Sequence, residues 1–272
     1  MARRHTLKVG LAGLGTVGLG VARRLETGIP GLVLAAVAVR DKDKARRNLP
    51  EAGARIAIVA AEALAQSCDI VVECLPPDMF RKVASSAIEA GKIFMPLSVG
   101  QLLENWDLVE RAKQTGARIL VPTGALLGLD AVRAAAEGRV ESVTLETRKP
   151  PAGLDGAPYL LAHGIQVLGI TAPLCVFRGN AMDAAAGFPA NVNVAAALAL
   201  AGIGPMRTQV EIWADPGLTR NTHTIRVEAE AARFTMTIEG VPSAENPRTG
   251  KLTTLSVLTC LRGLVNPLKI GS

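Results

Sequence analysis

The first half of the chain alternates short apolar runs with segments whose apolar residues have helical spacing. Apolar runs that predict strands lie at 6–11, 32–39, 56–60, 69–75, 93–97 and 117–121. After the first run, Val17, Val21 and Leu25 recur every four residues, which predicts a helix. The run at 69–75 is nearly all apolar, as in a parallel strand that is buried on both faces. This order predicts a doubly wound parallel sheet at 1–125.

The second half has a different pattern. Polar and apolar residues alternate at 140–147, 209–213 and 222–227, which predicts strands with one exposed face. Small residues at 191–202 predict a tightly packed helix, and 248–264 has the pattern of a terminal helix. The predicted fold class is therefore α/β, with a second α/β (α+β) domain at 126–245 after the doubly wound sheet. We expect a C-terminal helix in 246–272 to return to the first domain.

Composition and charge narrow the class of protein. Hydrophobic residues make up 49% of the 272 residues, which excludes a disordered chain. The net charge of +6 is spread over short mixed blocks, and aromatic residues make up only 3%. The sequence thus lacks both the basic stripe and the stacking aromatics that are typical of nucleic-acid-binding proteins. An acidic small molecule is the expected partner.

The cysteines and histidines do not predict a metal site. The four cysteines lack C-x-x-C spacing, and the three histidines do not form an H-E-x-x-H pattern. The sequence has no apolar signal segment and no apolar stretch of about 18 residues or more. We therefore expect a cytoplasmic protein with no metal and no membrane partner.

A glycine-rich turn follows the first predicted strand. The pattern G-x-G-x-x-G falls on Gly13, Gly15 and Gly18. Such glycines permit a tight turn, close approach to a pyrophosphate and close packing of a helix on a strand. The order of strand, turn and helix favours a Rossmann-type dinucleotide-binding domain over a purely structural turn. The candidate cofactor-binding residues in this turn are Gly10, Gly13, Gly15, Thr16 and Val17.

Two more strand ends face the expected cofactor. Arg40 and Asp41 follow the second strand, where an acid suits the ribose hydroxyl of NAD and an Arg suits the 2′-phosphate of NADP. Because both charges are present, the cofactor is NAD or NADP, although the charges could also simply solvate a helix start. Leu75 and Pro76 end the strand at 69–75 at the carboxyl edge of the sheet, where the dinucleotide crosses in this fold.

A series of short phrases runs through the rest of the chain. The phrases are LSVG at 97–100, PTGALLGLD at 122–130, TRKPP at 147–151, GNA at 179–181, FPANVNVAA at 188–196, ADP at 214–216, NTH at 221–223 and ENPRT at 245–249. In this order and spacing the chain resembles the L-aspartate dehydrogenase family over essentially its whole length. The resemblance implies a homodimer that oxidises L-aspartate to iminoaspartate with NAD(P). Iminoaspartate then hydrolyses to oxaloacetate and ammonia or feeds NAD biosynthesis, and the reverse reaction is a reductive amination.

His223 is the candidate catalytic residue. It follows Asn221 in a polar segment near a predicted strand start, and an imidazole that titrates near neutrality suits proton transfer with the substrate. The catalytic histidine of the family falls on this position through the phrase N-x-H. His163, at a predicted helix end, has the pattern of a structural residue instead.

The substrate-binding candidates follow from the charge of a dicarboxylate. Arg148 and Lys149 offer two cations beside a rigid Pro-Pro segment, although an exposed charged turn is the alternative. Asn193 and Asn221 are further polar candidates, and helix capping is the alternative role for the former.

By the resemblance, Asn191 contacts the cofactor and Ala125 lies near the nicotinamide through its backbone. The chain departs from the family at two positions, because Leu127 replaces a glycine and Gln101 replaces a common alanine. These departures leave the exact substrate open, and a bulky Leu127 would reshape the pocket. The alternatives are another NAD(P)H-dependent imine or aldehyde reductase with the same two domains, and a non-catalytic dinucleotide-binding sensor.

Overall fold

The chain divides into two compact units. The computed structural model describes residues 6–49, 56–189, 192–243 and 249–271. The first unit comprises Met1–Pro122 with Thr253–Ile270, and the second comprises Thr123–Leu252 with Gly271–Ser272.

The first unit is built on a parallel sheet of six strands. The strands are β1 (Leu7–Ala12), β2 (Leu32–Ala38), β3 (Ala57–Ile58), β4 (Ile70–Glu73), β5 (Ile93–Pro96) and β6 (Arg118–Ile119). Their order is β3-β2-β1-β4-β5-β6, so the direction of the chain across the sheet reverses between β1 and β4. A dinucleotide binds at the carboxyl ends of the strands at such a switch point. The doubly wound parallel sheet expected from the apolar runs is therefore present.

The helices of the first unit connect successive strands. They are α1 (Thr16–Glu26), α2 (Lys42–Asn48), α3 (Leu64–Ser67), α4 (Phe80–Glu89), α5 (Gly100–Glu104) and α6 (Trp106–Thr115). Apolar residues spaced by four put one face of α1 into a core that it shares with β1, β2 and β4. The terminal helix, which begins at Lys251 and ends at Val265, adds Val257, Leu258 and Leu261 to that core.

The second unit contains a mixed sheet of five strands. The strands are β7 (Val140–Lys149), β8 (Leu174–Asn180), β9 (Thr208–Ala214), β10 (Asn221–Ala229) and β11 (Arg233–Gly240), and the helices are α7 (Leu129–Ala136), α8 (Pro158–Ala162), α9 (Ala181–Gly187) and α10 (Asn193–Ala201). The sheet order is β11-β10-β7-β9-β8, in which β7 and β9 are parallel and the other neighbours are antiparallel. Alternation along β7 buries Val143, Leu145, Thr147 and Lys149 on one face.

The sequence pattern did not predict two strands of this sheet. In β8, the register shifts between Cys175 and Phe177, and this irregularity interrupts the alternation of buried and exposed residues. In β11, Phe234, Met236 and Ile238 do alternate with polar residues, so a strand could have been predicted there.

Candidate active site

The turn between β1 and α1 packs against the loop that follows β4. Gly13 has a φ of 98°, a left-handed backbone that favours glycine, and a Cβ there would lie 2.6 Å from the Cys74 carbonyl oxygen. A Cβ on Gly18 would overlap the carbonyl oxygen of Gly13. Gly15 is exposed, and a Cβ there would meet no atom within 4 Å. The turn is thus closed where it meets protein and open where a phosphate would bind.

The open side of this turn coincides with the start of α1. Thr16 and Val17 form the first turn of this eleven-residue helix, and the preceding Gly15 provides no side-chain cap. Main-chain N–H groups at such a helix start favour the negative charge of a phosphate.

Gly10 has a different environment from the other predicted cofactor-binding glycines. It lies inside β1, it is buried, and a Cβ there would lie 2.7 Å from Cys68 Sγ and 3.2 Å from a methyl carbon of Leu64. The need for glycine at this position therefore comes from the close packing of α3 on β1, and the structure does not place Gly10 among the residues of the open turn.

The two charged residues after β2 are used differently. The Asp41 carboxylate accepts a hydrogen bond from Lys44 N at 2.8 Å and so caps the start of α2. Arg40 is exposed at the same strand end. The Asp41 side chain is therefore engaged in capping α2, and the Arg40 side chain has no such role.

The strand ends at β4 and β5 are tied together by a residue that the sequence analysis did not single out. Glu73 is 0% exposed, and its carboxylate accepts hydrogen bonds from the segments that follow both strands. One donor is the main-chain N–H of Leu75, at 2.8 Å. Leu75 is half-buried and Pro76 is exposed, so both lie at the surface of this sheet edge.

In the second unit, His223 lies on the buried face of the sheet. It is 4% exposed, it pairs with Thr147 across β10 and β7, and its Nδ1 lies 3.1 Å from the Thr147 hydroxyl. Lys149, two residues further along the same face of β7, is 7% exposed. The remainder of this face is mainly apolar, as at Leu145 and Ile225. Three buried polar side chains therefore cluster where β7 ends and β10 begins.

Burial determines the charge of this cluster. It lowers the pKa of the Lys149 ammonium to about 8. Burial, together with the positive charge of Lys149, lowers the pKa of the His223 imidazole to about 3. At neutral pH the lysine is therefore charged and the histidine is neutral, whereas the sequence alone suggested an imidazole that titrates near neutrality.

Arg148 lies on the opposite face of β7 from Lys149, because successive side chains of a strand point to opposite faces. Its guanidinium pairs with Glu146 at 2.6 Å and Asp215 at 3.4 Å, and it lies 4.6 Å from the centre of the Trp213 ring. The expectation that Arg148 and Lys149 form one wall of the substrate pocket is therefore not met, because the structure brings only Lys149 to His223.

Three asparagines were also predicted as site residues of this unit. Asn221 is half-buried and lies on the same face of β10 as His223. Asn193 is exposed as the first residue of α10, which is preceded by Val192 without a side-chain cap. Asn191 lies outside the described residues.

The loop before α7 contains a predicted cofactor-binding residue and a departure from the family pattern. Ala125 is half-buried in it, and the Leu127 side chain is 50% exposed. An effect of Leu127 on the pocket stays a prediction.

Within the described parts of the chain, no group of three or more His, Cys, Asp or Glu side chains could hold a metal ion. None of the helices described there is both long enough and apolar enough to span a membrane.

Comparisons with known proteins assign the chain to a family. Residues 130–264 match the family model described as "Aspartate dehydrogenase, C-terminal", and residues 13–122 match "Homoserine dehydrogenase, NAD binding domain". The L-aspartate dehydrogenase of Bradyrhizobium diazoefficiens is 49% identical over 98% of this chain and 94% of its own length. L-aspartate dehydrogenase 3 of Bordetella bronchiseptica is 48% identical over 100% of both chains.

The chain belongs to the L-aspartate dehydrogenase family. A solved structure of aspartate dehydrogenase from Thermotoga maritima has a TM-score of 0.75 at 23% identity and covers 98% of this chain and 100% of that one, which shows a shared fold. The family and the fold class predicted from the sequence are both confirmed. The first unit is an NAD(P)-binding domain, and its turn fits that cofactor because the structure leaves space at Gly15 but not at Gly13 or Gly18.

The different surroundings of Gly15 and Gly10 lead to a first prediction. We expect Gly15→Ala to change the free energy of unfolding by less than about 0.5 kcal/mol, because its φ of −72° suits alanine and its Cβ would meet open space. The same change should raise the Kd of NAD(P)H about tenfold or more. Gly10→Ala should instead destabilise the protein by about 1–3 kcal/mol through overpacking and leave the Kd nearly unchanged. Denaturant unfolding and fluorescence titration would measure both quantities, and weak cofactor binding in a stable Gly10→Ala variant would contradict the assignment.

The neutral buried imidazole leads to a second prediction. The folded protein disfavours protonation of His223, whereas the unfolded chain protonates it near pH 6.5, so stability should fall as the pH drops below about 6.5 and down towards about 3. Each pH unit in this window should remove up to roughly 1.4 kcal/mol. Urea unfolding of wild type and His223→Gln between pH 7.5 and 4.5 measures this effect. The glutamine variant should have the shallower slope, and equal slopes would show that His223 is not held neutral.

Proposed function

We propose that this chain oxidises L-aspartate to iminoaspartate with NAD(P)⁺, after which hydrolysis gives oxaloacetate and ammonia, and that it catalyses the reverse reductive amination. The observation that carries the proposal is the cluster of a neutral His223 and a charged Lys149 on one buried face of the second unit. An amino acid with two carboxylates needs both a cation that binds it and a base that accepts a proton from its ammonium group. The names and high identity of the relatives support the same substrate.

Lys149 is the proposed binding residue for a substrate carboxylate. An ammonium that is buried among apolar side chains forms a stronger ion pair than an exposed one, because little water competes for it. The arrival of a carboxylate would also offset the burial that lowers the pKa of Lys149 and would keep the side chain charged.

His223 is the proposed base. For Nε2 to accept a proton, Nδ1 must carry the hydrogen and donate it to the Thr147 hydroxyl, which lies at 3.1 Å. His223 then takes a proton from the substrate ammonium, so that the amine nitrogen can form a double bond to Cα as the hydride leaves. The bound cofactor supplies the acceptor for that hydride. His223 first releases the proton of the substrate ammonium to solvent. In the hydrolytic half, the neutral imidazole then takes a proton from the water that attacks Cα and gives it to the departing nitrogen.

The proposal also covers localisation and assembly. The free cysteines and the lack of a membrane-spanning helix among the described residues support a cytoplasmic protein. The family resemblance supports a homodimer and a supply of iminoaspartate for NAD biosynthesis. Light scattering during size-exclusion chromatography would test the dimer.

A panel of amino acids with both cofactors tests the proposed function. L-Aspartate at alkaline pH should reduce NAD⁺ or NADP⁺ faster than L-glutamate, L-asparagine or L-alanine does. His223→Ala should bind NAD(P)H normally and lose about 10²-fold or more in kcat. His163→Ala is the matched control, because that histidine is exposed and stacks on Tyr159. Cofactor binding without turnover of any amino acid would favour a sensor, and reduction of cyclic imines without activity on aspartate would favour the rival reductase.

Two adjacent cations allow a sharper test of the substrate site. Lys149→Met should raise the KM for L-aspartate about 30-fold or more, since it removes a buried charged partner worth roughly 2 kcal/mol. Arg148→Met removes the same charge from the other face and should leave this KM within about twofold, while it lowers stability by about 1 kcal/mol. A large increase in KM for Lys149→Met alone would support substrate binding on the face of the sheet that carries His223. A large increase for Arg148→Met alone would place the substrate on the opposite face.

The strand end at Arg40 predicts the cofactor preference. Because the Asp41 carboxylate is held by the start of α2, we expect the exposed Arg40 to bind a 2′-phosphate. Arg40→Ala should raise the Kd of NADP⁺ about tenfold and that of NAD⁺ less than twofold. Arg24→Ala, which removes an exposed charge from α1, is the control. An equal loss of affinity for both cofactors in Arg40→Ala would refute this role.

A further inference from the structure

Glu73 is a buried ionisable residue that the proposed reaction does not use. It is the last residue of β4, where it pairs with Ala12 of β1 on one side and Pro96 of β5 on the other. It therefore lies at the carboxyl edge of the sheet, at the point where the strand order reverses. A fully buried carboxylate at this position requires partners, because an unpaired one would be strongly destabilising.

Both carboxylate oxygens of Glu73 have two hydrogen-bond donors. Oε1 accepts from Leu75 N at 2.8 Å and from Ser98 Oγ at 3.1 Å. Oε2 accepts from Ser98 N at 3.0 Å and from Leu97 N at 3.2 Å. The donors come from the segments after β4 and after β5, so one side chain holds two loops in a fixed arrangement.

The donor set determines the charge of Glu73. Burial raises the pKa of the Glu73 carboxyl, and the hydrogen bonds from Ser98 and from the main chain oppose that rise. A proton on Oε2 would point towards two main-chain N–H groups, which can only donate. A proton on Oε1 would face the N–H of Leu75 and the Ser98 hydroxyl, which also lies 3.4 Å from the carbonyl oxygen of Leu75. The geometry therefore favours the ionised carboxylate at neutral pH, with its charge dispersed over three N–H groups and one hydroxyl.

The loop after β4 is also in contact with the glycine turn. A Cβ on Gly13 would lie 2.6 Å from the carbonyl oxygen of Cys74, the residue between Glu73 and Leu75. The carboxylate therefore anchors the wall against which the phosphate-binding turn packs. A shift of this loop would change the shape of the turn as well as the edge formed by Leu75.

We propose that Glu73, as an ionised carboxylate, is a positioning residue for the cofactor. It holds the loops after β4 and β5 in the arrangement that binds NAD(P), and it places a negative charge at that sheet edge. The oxidised nicotinamide ring has one more positive charge than the reduced ring. The charge of Glu73 consequently favours NAD(P)⁺ over NAD(P)H, in addition to its effect on the shape of the site. The inference rests on the cofactor assignment and not on L-aspartate as the substrate.

Glu73→Gln tests both parts of the proposal. The glutamine has the same shape, but its NH₂ group would face two donors and its charge is zero. We expect the Kd of NAD(P)⁺ to rise about 30-fold and that of NAD(P)H about tenfold, as measured by calorimetry and by fluorescence titration. The change in the ratio of the two Kd values is the decisive quantity, since a purely structural defect would weaken both forms equally. Wild-type values, or an unchanged ratio, would overturn the proposal.

Two further variants keep the test decisive if Glu73→Gln unfolds. Ser98→Ala removes one donor and leaves the carboxylate in place, and it should raise the Kd of both cofactor forms about threefold with the ratio unchanged. Glu89→Gln, which removes the carboxylate of an exposed ion pair with Arg111 in the same unit, should bind like wild type. Wild-type affinity in a folded Ser98→Ala variant would contradict the positioning role. These are binding measurements, so a chain that binds cofactor but does not oxidise L-aspartate would refute the proposed function and leave this inference standing.

Discussion

The burial of Lys149 and His223 on one face of the second sheet is the constraint on which the proposed chemistry depends. An ammonium and an imidazole in an apolar environment cannot both be charged at neutral pH, and the imidazole, with the lower intrinsic pKa, is the one that stays neutral. In the proposed reaction, the same burial leaves Lys149 as a cation for a substrate carboxylate and His223 as a neutral imidazole. The negative charges of a bound dicarboxylate would raise the pKa of that imidazole towards the range that a base needs. Thr147 is part of the proposed arrangement, because Nε2 can act as the base when Nδ1 donates its hydrogen to the Thr147 hydroxyl at 3.1 Å.

The first unit also buries an ionisable side chain, here an acid instead of a base. Glu73 is buried where β4 ends, and the groups that stabilise its carboxylate belong to the loops that shape the cofactor edge. Glu73 ends a strand whose other residues are all apolar, and Lys149 ends β7 on the face where Val143 and Leu145 are buried. Such a position is costly for stability and is therefore a strong sign that the group serves binding or catalysis.

Sequence patterns predicted the features that depend on neighbouring residues. The glycine turn is local, so its spacing, together with the strand before it and the helix after it, identified Gly13, Gly15 and Gly18. Features that depend on tertiary packing were harder to predict. Gly10 has no distinguishing mark in the sequence, since its need for glycine comes from Cys68 and Leu64, far along the chain. The placement of Arg148 and Lys149 on opposite faces was predictable from strand alternation. Glu73 could be recognised as an acid at the end of an apolar run, but its hydrogen-bond partners could not be predicted from the sequence.

The state of the His223 imidazole is the most direct test of this account. The chain has only three histidines, so ¹⁵N-labelled histidine gives a simple NMR spectrum, and His223→Gln identifies the signals of interest. Between pH 5 and 8, we expect the His223 ring to stay neutral with its hydrogen on Nδ1, and we expect a dicarboxylate such as succinate to shift its signals in the presence of cofactor. Titration of His223 near pH 6.5 in the free protein, together with no response to the dicarboxylate, would contradict the account.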